Sequence, residues 1–355
     1  MIGMGFGQRV HVPAYVAHDR FSVTAVVGAR PHSADAVAAR IGARAYPSWQ
    51  TLSAEADVDL VSIATAPHLH APVALAALER GHAILLEKPT ALDAREAGAI
   101  VETARATGLV GAVCHEFRYR PAHLAVRDRL RAGDLGQVQA VHAHVHNPGL
   151  ASLRERPVNW LARWETGGGY LGAIASHQVD TLLWWMQEPV VRVWADLRAA
   201  AAVRPAGDGS PRHETVTAED SYVLFLQFAS GAVATIALST AGVGFGEQWD
   251  ILGEEGALRV TDASRVERRA GGAGTPELLP LSELPVVPSL PGDPPDVRTA
   301  LLTRLLDRLA AALDGDQEGA QDLPDLAQGL RVQRILDAAR EASRTGLAVR
   351  LSPSV

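Results

Sequence analysis

The chain has 355 residues, is 47% hydrophobic and 21% charged, and carries a formal net charge of -7. That length exceeds what one hydrophobic core usually fills, so two domains are expected. The acid excess gives no electrostatic reason for a nucleic-acid or anionic-membrane partner and leaves a small molecule as the natural one. The single cysteine, Cys114, rules out an internal disulfide framework and fits a reducing cytoplasm. No apolar run reaches the roughly 18 residues that span a bilayer, and the N-terminus lacks a basic stretch followed by an apolar one.

The chain opens Met1-Ile2-Gly3-Met4-Gly5-Phe6-Gly7-Gln8, followed by Arg9-Val10-His11-Val12-Pro13. Glycines at 3, 5 and 7 allow a tight turn whose N-H groups approach a pyrophosphate at a helix N-terminus. The standard fingerprint has its third glycine where Gln8 stands, so the alternative is a plain glycine-rich turn. Only Met1 and Ile2 precede Gly3, whereas a first central strand needs about five residues. The expectation is a natural start further upstream.

Residues 23–27 read as the next strand and 34–41 as a helix, the alternation of a βαβ unit. Where a carboxylate about 20 residues past the glycines holds the ribose 2'-hydroxyl of NAD, this chain has Gly28-Ala29-Arg30, with Ser33 nearby. Small residues and an arginine suit a 2'-phosphate, which points to NADP ahead of NAD; the alternative for Arg30 is a solvated loop arginine.

Residues 58–64 form a buried strand running into Thr65-Ala66-Pro67-His68-Leu69-His70, and a helix over about 71–80 returns to the apolar run Ala83-Ile84-Leu85-Leu86. That run stops at Glu87-Lys88-Pro89. Ligands of open α/β sheets sit outside the carboxyl ends of the strands, so Glu87 and Lys88 fall where chemistry is normally done; otherwise they are an exposed ion pair. Asp93 and Glu96 read as a capping box for a helix over 94–106. Residues 109–114 are another apolar strand, ending in His115-Glu116-Phe117-Arg118-Tyr119-Arg120-Pro121. Three successive strands thus finish in polar clusters on one edge.

A helix over 122–132 and a strand over 137–146 follow. On that strand His142, His144 and His146 alternate to one face, which reads as a polar sheet face or subunit contact, since histidines stacked on one strand rarely converge on a single ion. Gly167-Gly168-Gly169 reads as a flexible lead into a helix over about 170–187, on which His177 and Asp180 share a face. Strands over 190–195, 221–228, 232–239 and 248–252, with a hairpin at 229–231, make a largely antiparallel sheet whose outer face calls for a second subunit. Residues 271–295 read as a surface excursion, and 301–313 and 328–343 as amphipathic helices.

Gly3-x-Gly5 with His11 and Pro13, Ala64-Thr65 with His68 and His70, Glu87-Lys88-Pro89, and the triple glycine with His177 and Asp180 occur in this order. Together with Gly253-Glu254-Glu255-Gly256-Ala257-Leu258-Arg259, the set resembles the glucose-fructose oxidoreductase / inositol dehydrogenase (Gfo/Idh/MocA) family over nearly the whole chain. The resemblance implies an α/β protein with an N-terminal Rossmann dinucleotide-binding domain (residues 1–120) and a C-terminal α/β domain with an open, largely antiparallel sheet (residues 121–355). It implies hydride transfer between NAD(P) and a sugar, inositol or related small molecule; the outer sheet face makes the expected assembly a homodimer or homotetramer. By position, Glu87 would contact the nicotinamide ribose, Lys88 the reacting oxygen, His177 would be the acid/base, and Asp180 would line the pocket. The cofactor-binding set is then Gly3, Gly5, Phe6, Gly7, Gln8, Arg30, Ser33, Thr65, His68, Glu87, Lys88 and Arg118, with no metal. One departure is Ala173, where the family commonly has an aspartate four residues before the histidine. It leaves open carbonyl reduction or a partner supplied from elsewhere, and beside the oxidoreductase it leaves a glycosidase using transient oxidation and a catalytically silent NADP-binding regulator.

Overall fold

The computed structural model describes residues 1–30, 32–146, 153–240, 245–272 and 274–352. By compactness the chain divides into one unit of Met1–Tyr119 and Leu284–Gln333 and another of Arg120–Glu283 and Arg334–Val355. The changeover falls at residue 120, but 284–333 returns to the first unit.

The first unit is built on short parallel strands. β1 (Ala25–Val27) pairs with β2 (Arg44–Tyr46), while β3 (Leu60–Ile63), β4 (Ala83–Leu86) and β5 (Gly111–Val113) pair in that order. Ile2 joins the two sets through parallel bridges to Val27 and Ile63. Its N-H donates to the Ser62 carbonyl at 2.8 Å and its own carbonyl accepts from Ala64 N-H at 2.8 Å. Met1 and Ile2 therefore hold the central position of the sheet. The Met1 ammonium donates to the Ala25 carbonyl at 2.7 Å. Beside it a cavity of about 470 Å³ lies between residues including Val23, Ala25, Asp57 and Val61.

The helices of this region are α1 (Val12–Val16), α2 (Asp35–Ile41), α3 (Trp49–Glu55), α4 (His70–Glu79) and α5 (Ala94–Thr107). β2 and α3 are additions to the elements read from sequence, because three and seven residues are too short to show a period. All four residues of β4 are buried, as a strand covered on both faces requires. Ile84 and Leu86 join one apolar cluster with Ile63, Leu78 and Ile100, and Leu85 joins another. The Asp93 carboxylate accepts from Glu96 N-H at 2.8 Å, but the Glu96 carboxylate reaches one residue further back, to Leu92 N-H at 3.2 Å. The capping box is thus present with its reciprocal bond displaced.

The second unit opens with α6 (Pro121–Arg131) and β6 (Val138–His146) and carries α7 (Ser176–Met186). Its further strands are β7 (Val190–Arg198), β8 (Val203–Pro205), β9 (His213–Thr215), β10 (Ser221–Phe228), β11 (Val233–Ser239), β12 (Gly246–Gly253), β13 (Gly256–Thr261), β14 (Arg265–Ala270), β15 (Glu277–Leu278) and β16 (Val349–Arg350). Among the described residues nine of these form one sheet, ordered β15-β14-β13-β12-β6-β11-β10-β7-β16, in which only the β6–β11 pair is parallel. Tyr222, Leu224, Leu226, Ala234, Ile236 and Leu238 are buried on one face, and the Tyr222 hydroxyl donates to the Gln178 side-chain oxygen of α7 at 2.6 Å. The other face leaves Trp194 and Val223 exposed. His142 and His144 are exposed and His146 half-buried, with His142 Nδ1 2.7 Å from Thr235 Oγ1.

α8 (Val297–Leu313) belongs to the first unit and buries Leu302, Leu305, Leu306 and Leu309 against Leu85, Cys114 and Tyr119. α9 (Leu326–Thr345) contributes its first residues to the first unit and the rest to the second. Most of 274–295 is exposed, with Leu279 and Leu290 as buried anchors.

Asp93→Ala should lower the stability of the first unit by about 1 kcal/mol, the usual cost of an N-cap, and Asp93→Asn should keep most of it. Thermal unfolding followed by circular dichroism checks both.

Candidate active site

The glycine turn crosses the sheet at its carboxyl edge. Gly3 has φ 101°, and a Cβ there would sit 2.2 Å from the Ala64 carbonyl oxygen, so only glycine fits. Gly7 presses on the Met1 side chain. Gly5 differs: it is exposed, and a Cβ would meet nothing within 4 Å. Packing does not demand glycine at 5, whereas close approach of a phosphate does. The chain then enters a π-helical turn, Gly7–His11, continuous with α1. The turn thus fits the pyrophosphate of a dinucleotide, with Phe6 and Gln8 half-buried beside it.

Residues from the ends of β3, β4 and β5 meet next to this turn. Glu87 is 6% exposed, a depth at which a carboxylate must be compensated. His11 Nε2 lies 2.9 Å from Glu87 Oε1, and Glu87 Oε2 accepts from Lys88 N-H at 3.3 Å. His11 Nδ1 is 3.0 Å from Ser62 Oγ, the last buried hydroxyl of β3. Burial opposes the charge on Glu87, but the His11 hydrogen bond and the nearby Lys88 outweigh it and hold the carboxyl down to about 2. Lys88 is half-buried and precedes a cis peptide bond to Pro89. Glu116, 1% exposed, behaves oppositely: burial, then the charge of Glu87, push it up to about 8. The edge thus holds one ionised and one protonated carboxyl.

His70, also fully buried, spans the same edge, with Nδ1 2.9 Å from the Pro89 carbonyl and Nε2 3.1 Å from that of Thr65. Burial lowers its pKa against those hydrogen bonds. It ties the loop after β3 to the loop after β4. His68 is exposed on the intervening turn and Thr65 half-buried. At the end of β1, Arg30 is exposed, while Ser33 Oγ donates to the Arg30 carbonyl at 2.6 Å and accepts from its N-H at 3.2 Å. The serine shapes the turn from which the arginine projects. Arg118 is 4% exposed and donates to the Asp322 carbonyl at 3.2 Å, so it anchors the loop ahead of α9. His11, Ser62, His70 and Glu116 were the residues that spacing did not single out for a role. The cluster His11, Glu87 and Cys114 places ligand-type atoms within 4.8 Å of one another, and the His11–Glu87 hydrogen bond already accounts for that approach.

In the second unit the triple glycine is tight rather than flexible, which corrects its reading as a loose lead. A Cβ on Gly168 would lie 2.5 Å from the Trp160 carbonyl, and one on Gly169 2.1 Å from the Glu219 carboxylate. Glu219 accepts from Leu171 N-H at 3.1 Å through its side chain and from Tyr170 N-H at 2.9 Å through its carbonyl. A π-helical turn, Leu171–Ala175, leads into α7. Every residue from Ser176 to Trp185 is buried, so His177 and Asp180, at 2% and 1% exposure, sit on a helix enclosed on all sides. Charged or polar groups at such depth are kept where they are hydrogen-bonded or used.

Comparison with known proteins finds relatives over both units. A family model described as an oxidoreductase family with an NAD-binding Rossmann fold matches residues 1–115, and one described as the GFO/IDH/MocA C-terminal domain matches residues 123–259. The chain is 32% identical over 349 residues to an uncharacterized oxidoreductase of Synechocystis, covering 96% of this chain and 92% of that one. It is 27% identical over 280 residues to levoglucosan dehydrogenase of Pseudarthrobacter phenanthrenivorans, covering 73% and 72%. A solved levoglucosan dehydrogenase in complex with NADH and L-sorbose shares its fold at a TM-score of 0.85 and 24% identity, over 99% of this chain and 98% of that one.

Two outcomes follow from the carboxyl edge. Gly5→Val should abolish dinucleotide binding while leaving the melting temperature within a degree or two, whereas Gly3→Ala should lower the melting temperature; dye-monitored melting with and without NADPH separates them. Glu116 holds its proton more tightly folded, at about 8, than its ordinary 4.5. The folded protein therefore binds more protons than the unfolded one across that window, and stability must fall as pH rises through it. Glu116→Gln removes this dependence, so its melting temperature relative to the parent should rise from pH 5 to pH 8.

Proposed function

Because the chain belongs to the Gfo/Idh/MocA family of oxidoreductases, with an NAD-binding Rossmann domain at its head, we propose that it moves a hydride between NADP(H) and an alcohol or carbonyl carbon of a sugar or polyol. The observation that carries the reading is the edge where the open Gly5 turn and the Glu87-Lys88 end of β4 come together around a compensated carboxylate.

When bound, the nicotinamide supplies or accepts the hydride at C4. Glu87, its carboxylate fixed from both sides, orients the nicotinamide ribose. Lys88 brings an ammonium to the substrate oxygen, where negative charge develops as the carbonyl is reduced. On the second unit His177 is the group suited to give up or take a proton, and Asp180, three residues on, lines its face of α7. The exposed Arg30 and the absence of a carboxylate at the end of β1 favour NADP over NAD. The homologous levoglucosan dehydrogenase, and a solved levoglucosan dehydrogenase in complex with NADH and L-sorbose, support a sugar-like substrate. The half-exposed outer face of the nine-stranded sheet, with Trp194 and Val223, supports a homo-oligomer formed through it.

An NADPH and NADH oxidation screen against keto-sugars, keto-inositols and simple aldehydes tests the activity. In the active reaction Lys88→Ala should lower kcat by about 100-fold or more while the nucleotide Kd stays within about threefold; unchanged turnover would remove Lys88 from its role. Arg30→Ala should raise the KM for NADPH about tenfold and leave that for NADH alone.

A further inference from the structure

We infer that His11 is a positioning residue for the hydride-transfer site, acting through Glu87; this rests on the reading of Glu87 as the group that orients the nicotinamide ribose. His11 is completely buried, its ring 5.7 Å from Phe6 edge to face. Both ring nitrogens are used, and they reach three parts of the sheet edge at once. An ionised carboxylate can only accept, so Nε2 carries the proton given to Glu87 Oε1 at 2.9 Å. Nδ1 meets Ser62 Oγ at 3.0 Å, which fixes the ring plane. The residue itself ends the π-helical turn that follows the glycine turn. One imidazole therefore sets the distance from the phosphate-binding turn to the end of β4. Cys114 Sγ, 3.9 Å from Nε2, closes the remaining side with a thiol that burial keeps protonated.

A buried histidine–carboxylate pair is poor value as a stability device, because two apolar residues of the same volume would often hold the core as well. Its worth here is direction. Glu87 has one oxygen on the ring and the other on its neighbour's N-H, so the carboxylate cannot rotate. Removing the ring frees the carboxylate oxygen that faces it, and Glu87 is then no longer aimed. Partners that orient a metal-ligating side chain from behind typically carry about 10- to 100-fold of its effect, and an orienting contact to the ribose is expected to behave alike.

The test uses the full chain and three substitutions. Glutamine matches Nε2 in reach, asparagine matches only the Ser62-facing nitrogen, and leucine matches neither. His11→Leu and His11→Asn should lower kcat at least tenfold with the KM for nucleotide within about threefold, and His11→Gln should restore kcat to within about threefold of the parent. In a Glu87→Gln background His11→Leu should cost less than twofold more, since its route of action is already gone. A merely structural histidine would lower the melting temperature of all three variants with kcat per folded molecule unchanged, or would multiply with Glu87→Gln; either result overturns the inference. Should the parent turn over no substrate in the screen, the proposed reaction fails, and His11 is still decided by NADH fluorescence: the bound-state emission should be altered in His11→Leu and kept in His11→Gln. Emission unchanged in His11→Leu overturns it, and a parent that binds neither nucleotide overturns both readings.

Discussion

A carboxylate withdrawn from water at the end of a parallel strand is the constraint around which the first unit is arranged. Glu87 cannot stay ionised at 6% exposure without donors on both oxygens. Donors come from the neighbouring residue, from the Cys114 thiol and from His11, which is 76 positions away in sequence. For His11 to arrive there, the chain must cross β3 at Gly3 with its backbone against the Ala64 carbonyl, then turn through Gly7 into a helix. The glycine turn and the charged strand end are therefore one device. A side chain at Gly3 would move the turn, and the turn would take His11 away from Glu87.

The same edge limits what a second acid can do. Glu116 follows β5 as Glu87 follows β4, and the backbone of Cys114 donates to the Leu86 carbonyl at 2.8 Å, so the two strand ends are neighbours. Two buried carboxylates with one lysine between their fields do not both ionise. The one with donors on both oxygens keeps its charge and the other keeps its proton. Lys88 lies in the field of both carboxyls, and Arg298 adds to it at Glu116.

Much of this was legible in the sequence. The apolar run 83–86 between Gly81 and Pro89, and the polar endings after 64, 86 and 114, located the edge, because buried strands must surrender their polar residues at their ends. The ordered motifs identified the family. What stayed hidden depended on contacts distant in sequence or on elements too short to have a period. His11 counted as one of the ordered motif residues but was given no role, since its meaning lies in Ser62 and Glu87. The helix Val297–Leu313 read correctly as amphipathic, yet a leucine stripe does not say which core it fills, and it covers Leu85 of the first unit. The triple glycine read as slack because glycine permits motion; here it permits approach, with carbonyls and the Glu219 carboxylate where side chains would be.

Both helices that carry the residues proposed for the site are preceded by a π-helical turn, Gly7–His11 and Leu171–Ala175. Such turns recur at functional sites because one extra residue in the turn re-aims the side chains that follow. In the second helix the consequence reaches Ala173. Reading it as the position one turn before His177 assumes a bond from each N-H to the carbonyl four residues back. Ser176 N-H instead reaches Leu171 O, five residues back. The position stacked over His177 is displaced by that extra residue, so an alanine at 173 is weak evidence that the imidazole lacks support. Asp180, beyond the irregular turn and three residues along regular helix, shares a face with His177 whatever happens upstream. The buried pair on α7, rather than the alanine before it, is what should be weighed when the chemistry of this helix is judged.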